Sequence, residues 1–64
     1  MTLEEIKSAV LSGRKVHWAN TLYLVKVDRL SRWLIVCENG YTVGLTWDDG
    51  VTMNGKPSEF FIGK

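Results

Sequence analysis

Trp33-Leu34-Ile35-Val36-Cys37-Glu38-Asn39-Gly40-Tyr41-Thr42-Val43-Gly44-Leu45-Thr46 places the dipeptide Asn39-Gly40 between two apolar-rich runs. Asn-Gly suits the two positive-φ positions of a type I′ turn, whose twist matches that of the strands it joins. The stretch therefore predicts a hairpin, Trp33–Cys37 against Tyr41–Thr46, at the centre of a very small β-rich domain. Gly44 interrupts the alternation of Tyr41, Val43 and Leu45, and a glycine inside a strand marks a bulge, a bend or the close approach of another backbone.

Upstream of the hairpin, Thr21–Val27 reads as a longer strand, with Tyr23, Val25 and Val27 on one face and Leu22, Leu24 and Lys26 on the other. Both faces are apolar at its start, so part of it is buried on two sides or faces a partner. Asp28–Arg32 is a charged loop, and Val16–Trp18 a short strand before the Ala19-Asn20 link. The chain opens with a helix. Thr2 and Glu5 have the spacing of a capping box, Met1 can staple onto Ile6, and Leu3, Ile6 and Val10 form one apolar stripe widened by Ala9. Gly13 closes it, and Arg14 and Lys15 suit its negative end.

Downstream, Asp48-Asp49-Gly50 and Asn54-Gly55-Lys56-Pro57 read as turns around a short strand Val51–Met53. Phe60-Phe61-Ile62 ends the chain as a last strand or a plug on the core. One helix and about five short strands make an α+β domain. We expect a strongly bent antiparallel sheet forming a small, partly open barrel of SH3-like character, with the helix on one end or face.

The 64 residues make one domain, 1–64, near the lower size limit for a single core. Such a chain either packs unusually well or shares apolar surface with a second copy, and a homo-oligomer is the expected state. Three Trp, two Tyr and two Phe supply area to bury. The net charge of +1 gives no strong global field. Six Lys/Arg and three acids fall in residues 1–32, and two against four in residues 33–64, so neither half is dense enough to predict nucleic-acid binding. Cys37 is alone, which excludes an internal disulfide and a multi-thiolate metal site. Acids stand near the start where a signal peptide needs positive charge, and no apolar run reaches membrane-spanning length. A soluble protein of the cytoplasm is expected, with no membrane partner.

Candidate chemistry is sparse. A Cys37–His17 pair would need an activated thiolate, whereas Leu34-Ile35-Val36-Cys37 is an apolar setting. Asp48-Asp49-Gly50 with Asn54 lacks calcium-loop spacing and a closing bidentate Glu, and acid-Gly is a turn signature in its own right. Neither a metal nor a cofactor is expected, and the chain is not expected to be an enzyme. Arg14, Lys15, His17 and Trp18 could hold an anionic or aromatic ligand, or simply complement the helix end while Trp18 fills the core. Trp47 beside Asp48 and Asp49 could line a pocket rim. Tyr23, Trp33 and Tyr41 would make a stacking platform only if exposed together.

Two segments carry a resemblance: Gly13-Arg14-Lys15-Val16-His17-Trp18 and Gly44-Leu45-Thr46-Trp47-Asp48-Asp49-Gly50-Val51-Thr52-Met53-Asn54-Gly55-Lys56-Pro57-Ser58-Glu59-Phe60-Phe61. They resemble a group of small phage- and prophage-type proteins. In layout alone, a short helix ending in Gly13-Arg14-Lys15-Val16, a run of strands and the terminal pair Glu59-Phe60 are similar to the phage anti-Thoeris sponge proteins. Those are oligomers that sequester a nucleotide immune signal between subunits. The resemblance implies a non-catalytic phage accessory protein that binds and blocks or sequesters a host defence component, either a nucleotide signal or a protein. Trp18, Tyr23 and Trp47 are the expected contact residues, with His17, Asp48, Asp49 and Asn54 orienting the ligand. The alternative is a small-barrel nucleic-acid-binding regulator using Arg14, Lys15, Lys26, Arg29 and Arg32 against phosphates.

Overall fold

In the computed structural model, which describes residues 1–63, the capping signals at the start of the chain set the first element. Helix α1 spans Leu3–Leu11. The Thr2 hydroxyl accepts the Glu5 N–H at 3.2 Å, and the Glu5 carboxylate accepts the Thr2 N–H at 2.8 Å. Ile6 and Ala9 are its buried residues, with Leu3 and Val10 packed at the margin of the core.

Five short antiparallel strands follow: β1 (Val16–Trp18), β2 (Tyr23–Val27), β3 (Trp33–Cys37), β4 (Thr42–Gly44) and β5 (Phe60–Ile62). The α+β class and the order of helix and strands agree with the sequence reading. The strands are divided between two sheets, β1-β5 and β2-β3-β4, and do not close into a barrel. The link between β1 and β2 causes the division. Ala19 adopts φ 65°, and the Asn20 N–H returns to the Trp18 carbonyl at 2.6 Å. Asn20 then takes the N–H groups of Leu22 and Tyr23 on its side-chain and backbone oxygens. These local bonds satisfy the backbone that a β1–β2 ladder would use, and they shorten the strand expected from Thr21 so that it begins at Tyr23.

The central hairpin forms, with Leu34 opposite Gly44 and Val36 opposite Thr42. Its turn differs from the type I′ expected. Only Gly40, at φ 95°, has positive φ there. The Gly40 N–H bonds to the Cys37 carbonyl and the Cys37 N–H to the Tyr41 carbonyl, so the loop has three residues, Glu38, Asn39 and Gly40. This is a type I turn closed by a bulge residue in the left-handed region, which the same Asn-Gly dipeptide serves equally well. The β2–β3 loop repeats the bonding pattern around Arg29, Leu30 and Ser31, with Ser31 at φ 61° in the bulge position. The second strand of the hairpin is shorter than Tyr41–Thr46. Beyond it, Val51–Met53 contributes a single bridge, Thr46 to Met53, rather than a strand. Pro57–Glu59 forms one 3-10 turn before β5.

The core joins all these parts: Ile6 and Ala9 of α1, Val16, Val25, Ile35, Leu45 and Phe60. Tyr23, Trp33 and Val43 on the inner sheet face pack against its edge. The opposite face of β2-β3-β4, carrying Leu24, Lys26, Leu34 and Val36, is only partly buried, and no helix or strand among the described residues covers it.

Candidate functional site

Alternation along β1 sends its two candidate residues to different places. Val16 enters the core, and His17 points the other way. The His17 ring is almost fully buried, and its Nδ1–H donates to the Tyr23 carbonyl at 2.8 Å. It thereby takes an edge carbonyl of β2 that has no ladder partner on that side, joining the two sheets through a side chain. Phe61, its cross-strand partner, lies 5.4 Å away between ring centroids. Gly63 closes the remaining side: a Cβ there would come within 2.2 Å of Nε2. His17 is thus engaged as a structural tie.

Trp18 and Tyr23 come together, edge to face at 4.9 Å, and both pack against the core. The Trp18 indole N–H donates to Glu59 at 3.3 Å, and the Gly55 backbone lies so close that a Cβ there would meet Nε1 at 2.7 Å. Glu59 also accepts the Lys56 N–H at 2.7 Å, and this bond first, then the indole, holds its carboxyl below the usual carboxylate range. Asn54 is spent on the backbone, its amide donating to the Gly44 carbonyl at 3.3 Å and its N–H to Leu45.

Trp47, Asp48 and Asp49 lie apart from these, on a hairpin-like tip. The Trp47 N–H bonds to Thr52 O and the Gly50 N–H to Trp47 O. Asp49 organises the tip. Its carboxylate accepts the Thr52 hydroxyl at 2.6 Å and the N–H groups of Val51 and Thr52 at 2.9 Å. The Thr52 hydroxyl, followed by those two N–H groups, lowers the Asp49 pKa. Asp48 is exposed, and Trp47 and Val51 leave 65% and 73% of their surface to solvent. The seven candidate residues are therefore dispersed over a sheet-joining tie, a half-buried aromatic pair, a backbone-bound asparagine and an exposed tip.

A groove that the sequence reading did not assemble opens on the uncovered sheet face. It has a volume of about 280 Å³, with an apolar lining from Leu22, Leu24 and Val36 and a charged lining from Lys15, Lys26 and Glu38. Leu24 and Val36 are direct cross-strand neighbours, which makes the apolar surface continuous. Among the described residues the one salt bridge is Arg32 to Asp28, so neither groove lysine is neutralised by an ion pair. His17 and Cys37 both reach this groove, but His17 Nδ1 is committed to Tyr23 O. The signal for the groove was present in the alternation Leu22, Leu24, Lys26, whereas Lys15 and Val36 join it only through the fold.

The other basic residues are scattered. Arg14 lies beside α1, while Arg29 and Arg32 sit on the β2–β3 loop, where Arg32 Nε contacts Asp28 at 2.7 Å. Tyr23 and Trp33 stand at opposite ends of the β2–β3 pair, and the Lys7 ammonium covers the Trp33 ring at 5.6 Å. These positions do not assemble the aromatic stacking platform. No helix among the described residues is long and apolar enough to cross a membrane.

Comparison with protein families, with curated proteins and with solved structures finds no match to this chain.

Proposed function

We propose that this chain acts by binding, as a non-catalytic phage accessory protein that captures and blocks or sequesters a component of host defence. One observation carries the binding role: the groove on the outer face of β2-β3-β4, where Leu22, Leu24 and Val36 adjoin two lysines that form no salt bridge among the described residues. Such a surface selects a ligand that joins an apolar or aromatic body to an anionic group. The apolar contact supplies affinity and the lysines supply orientation and attraction. A nucleotide signal has that chemistry, and so does an acidic, aromatic segment of a host protein. The link to phage defence rests on the sequence resemblance.

The test is native mass spectrometry of the purified protein before and after exposure to lysate from infected, defence-active cells. A gain of a few hundred daltons identifies a small anion, and a gain of kilodaltons a protein. Either gain should disappear in the double variant Lys15→Glu, Lys26→Glu. A wild-type protein that emerges with its mass unchanged would refute the reading.

A further inference from the structure

The groove calls for an aromatic body next to negative charge, and this chain displays that combination on its own surface. The tip formed by Trp47, Asp48, Asp49, Gly50 and Val51 carries two acids and no base. Trp47 is 65% exposed, so it fills no pocket of its own chain. A solvent-exposed Trp on a fixed turn is costly to leave in water and is a common anchor of protein contacts. The tip is also preorganised, because the three bonds from Asp49 to Val51 and Thr52 hold the turn before any partner arrives.

We infer that the 47–51 tip of one copy docks into the lysine-flanked groove of a second copy, with Trp47 on Leu22, Leu24 and Val36 and with Asp48 facing Lys15 and Lys26. The charges complement each other: the groove lining carries two lysines against Glu38, and the tip carries two carboxylates. Tip and groove are different surfaces of the same molecule, so the contact is head-to-tail. It builds a ring if the rotation closes and a chain of copies if it does not. The inference rests on the groove being a binding site for an anionic group joined to an apolar one. It adds that neighbouring copies supply such a group and compete for the site.

Sedimentation equilibrium and native mass spectrometry across protein concentration test this on the full chain. Wild type should self-associate, and Trp47→Ala should weaken association at least about thirty-fold, the loss expected of a central aromatic anchor. Trp47 is exposed, so its removal should leave the thermal melt unchanged at dilutions where both proteins are monomeric. Lys26→Glu spoils only the groove and Asp48→Lys only the tip, so each variant alone should be monomeric. Mixed together they should assemble, because one pairing is the wild-type contact and the other a reversed charge pair. A wild type that is monomeric at about millimolar concentration overturns the inference. So does assembly indifferent to Trp47→Ala, or failure of the mixture to assemble. Trp47→Ala leaves the groove intact, so its capture of a host component separates the two readings: a variant that captures but no longer self-associates supports both. Self-association that follows the charge rules without any captured component would leave this inference standing and remove the proposed function.

Discussion

Replacing Gly63 by alanine adds one methyl group, and the structure gives that methyl a specific obstacle. Gly63 is not among the glycines with positive φ, so alanine can adopt its backbone conformation. On backbone entropy alone the change would stabilise the protein by about 0.4–1 kcal/mol. The new Cβ, however, would fall within 2.2 Å of His17 Nε2 and 2.4 Å of Cδ2. The imidazole has little room to yield. Its other nitrogen is bonded to Tyr23 O, and Phe61 lies alongside. Either the ring turns and the part-buried Tyr23 carbonyl loses its donor, or the end of β5 moves away and the Gly63 N–H to Lys15 O bond opens. Losing a bond of this kind costs about 1–3 kcal/mol. We therefore expect Gly63→Ala to destabilise by about 2 kcal/mol, a fall in Tm of roughly 8–16 °C for a domain of this size. Urea and thermal melts of Gly63→Ala, His17→Ala and the double variant supply the assay. In the His17→Ala background the methyl enters vacated space, so the second substitution should cost less than about 0.5 kcal/mol, leaving a coupling energy well above additivity. The reasoning is refuted if Gly63→Ala is as stable as wild type, or if it costs the same with and without the imidazole.

Further outcomes follow from the loops, the core and the carboxylates. Ser31 holds a left-handed conformation that costs an L-residue about 1–2 kcal/mol, so Ser31→Gly should raise stability by about 0.5–1 kcal/mol after the added chain entropy, read from the urea midpoint. Ile35 is fully enclosed at the centre of β3; Ile35→Val should cost about 0.5–1.5 kcal/mol and remain folded, whereas Ile35→Ala, at about 2–5 kcal/mol, should remove most of the stability of so small a domain in circular dichroism melts. Glu5, Asp28, Asp49 and Glu59 all have lowered pKa values. Backbone N–H groups are the main cause, except at Asp49, where the Thr52 hydroxyl leads. Because their folded values lie below the unfolded ones, their stabilisation is complete above the ordinary carboxylate range and is lost as pH falls through the lowered values. Tm should therefore hold steady down to about pH 5 and decline below it, and Asp49→Asn should flatten that decline.

The sequence reached furthest where one short-range rule decides the outcome. Thr2 and Glu5 announced the helix start, and the apolar runs Val16–Trp18 and Trp33–Cys37 became β1 and β3 with those bounds. Turn geometry was less accessible, because Asn39-Gly40 satisfies both a two-residue and a three-residue loop and the choice depends on which backbone groups pair. Ser31 carried no sign that a polar residue would take the position that Gly40 fills in the next loop. The division into two sheets depends on Ala19 and Asn20 closing a local turn, a contest between near and distant hydrogen bonds that alternation cannot rank. Among the candidate residues, Asp49 was legible as a turn former. The groove was half legible: the second apolar face of β2 was visible in Leu22 and Leu24, but Val36 is brought to it by register and Lys15 by the approach of β1.

The way the two sheets are joined fixes the order in which the molecule can assemble. The β2-β3-β4 meander needs only three-residue loops, so its ladders form among neighbours in the chain at small entropic cost. The β1-β5 ribbon must bring residue 16 to residue 62 and gains from that closure only once the meander and helix offer a surface to settle on. We therefore expect β5 to be the last strand to arrive and the first to leave. In native-state hydrogen exchange the amides of β3 should open only with global unfolding, while those of β5 exchange through a cheaper, partial opening. A chain caught in that opening has lost Phe60 from its core, and the bared surface is a natural foothold for the β5 strand of another copy.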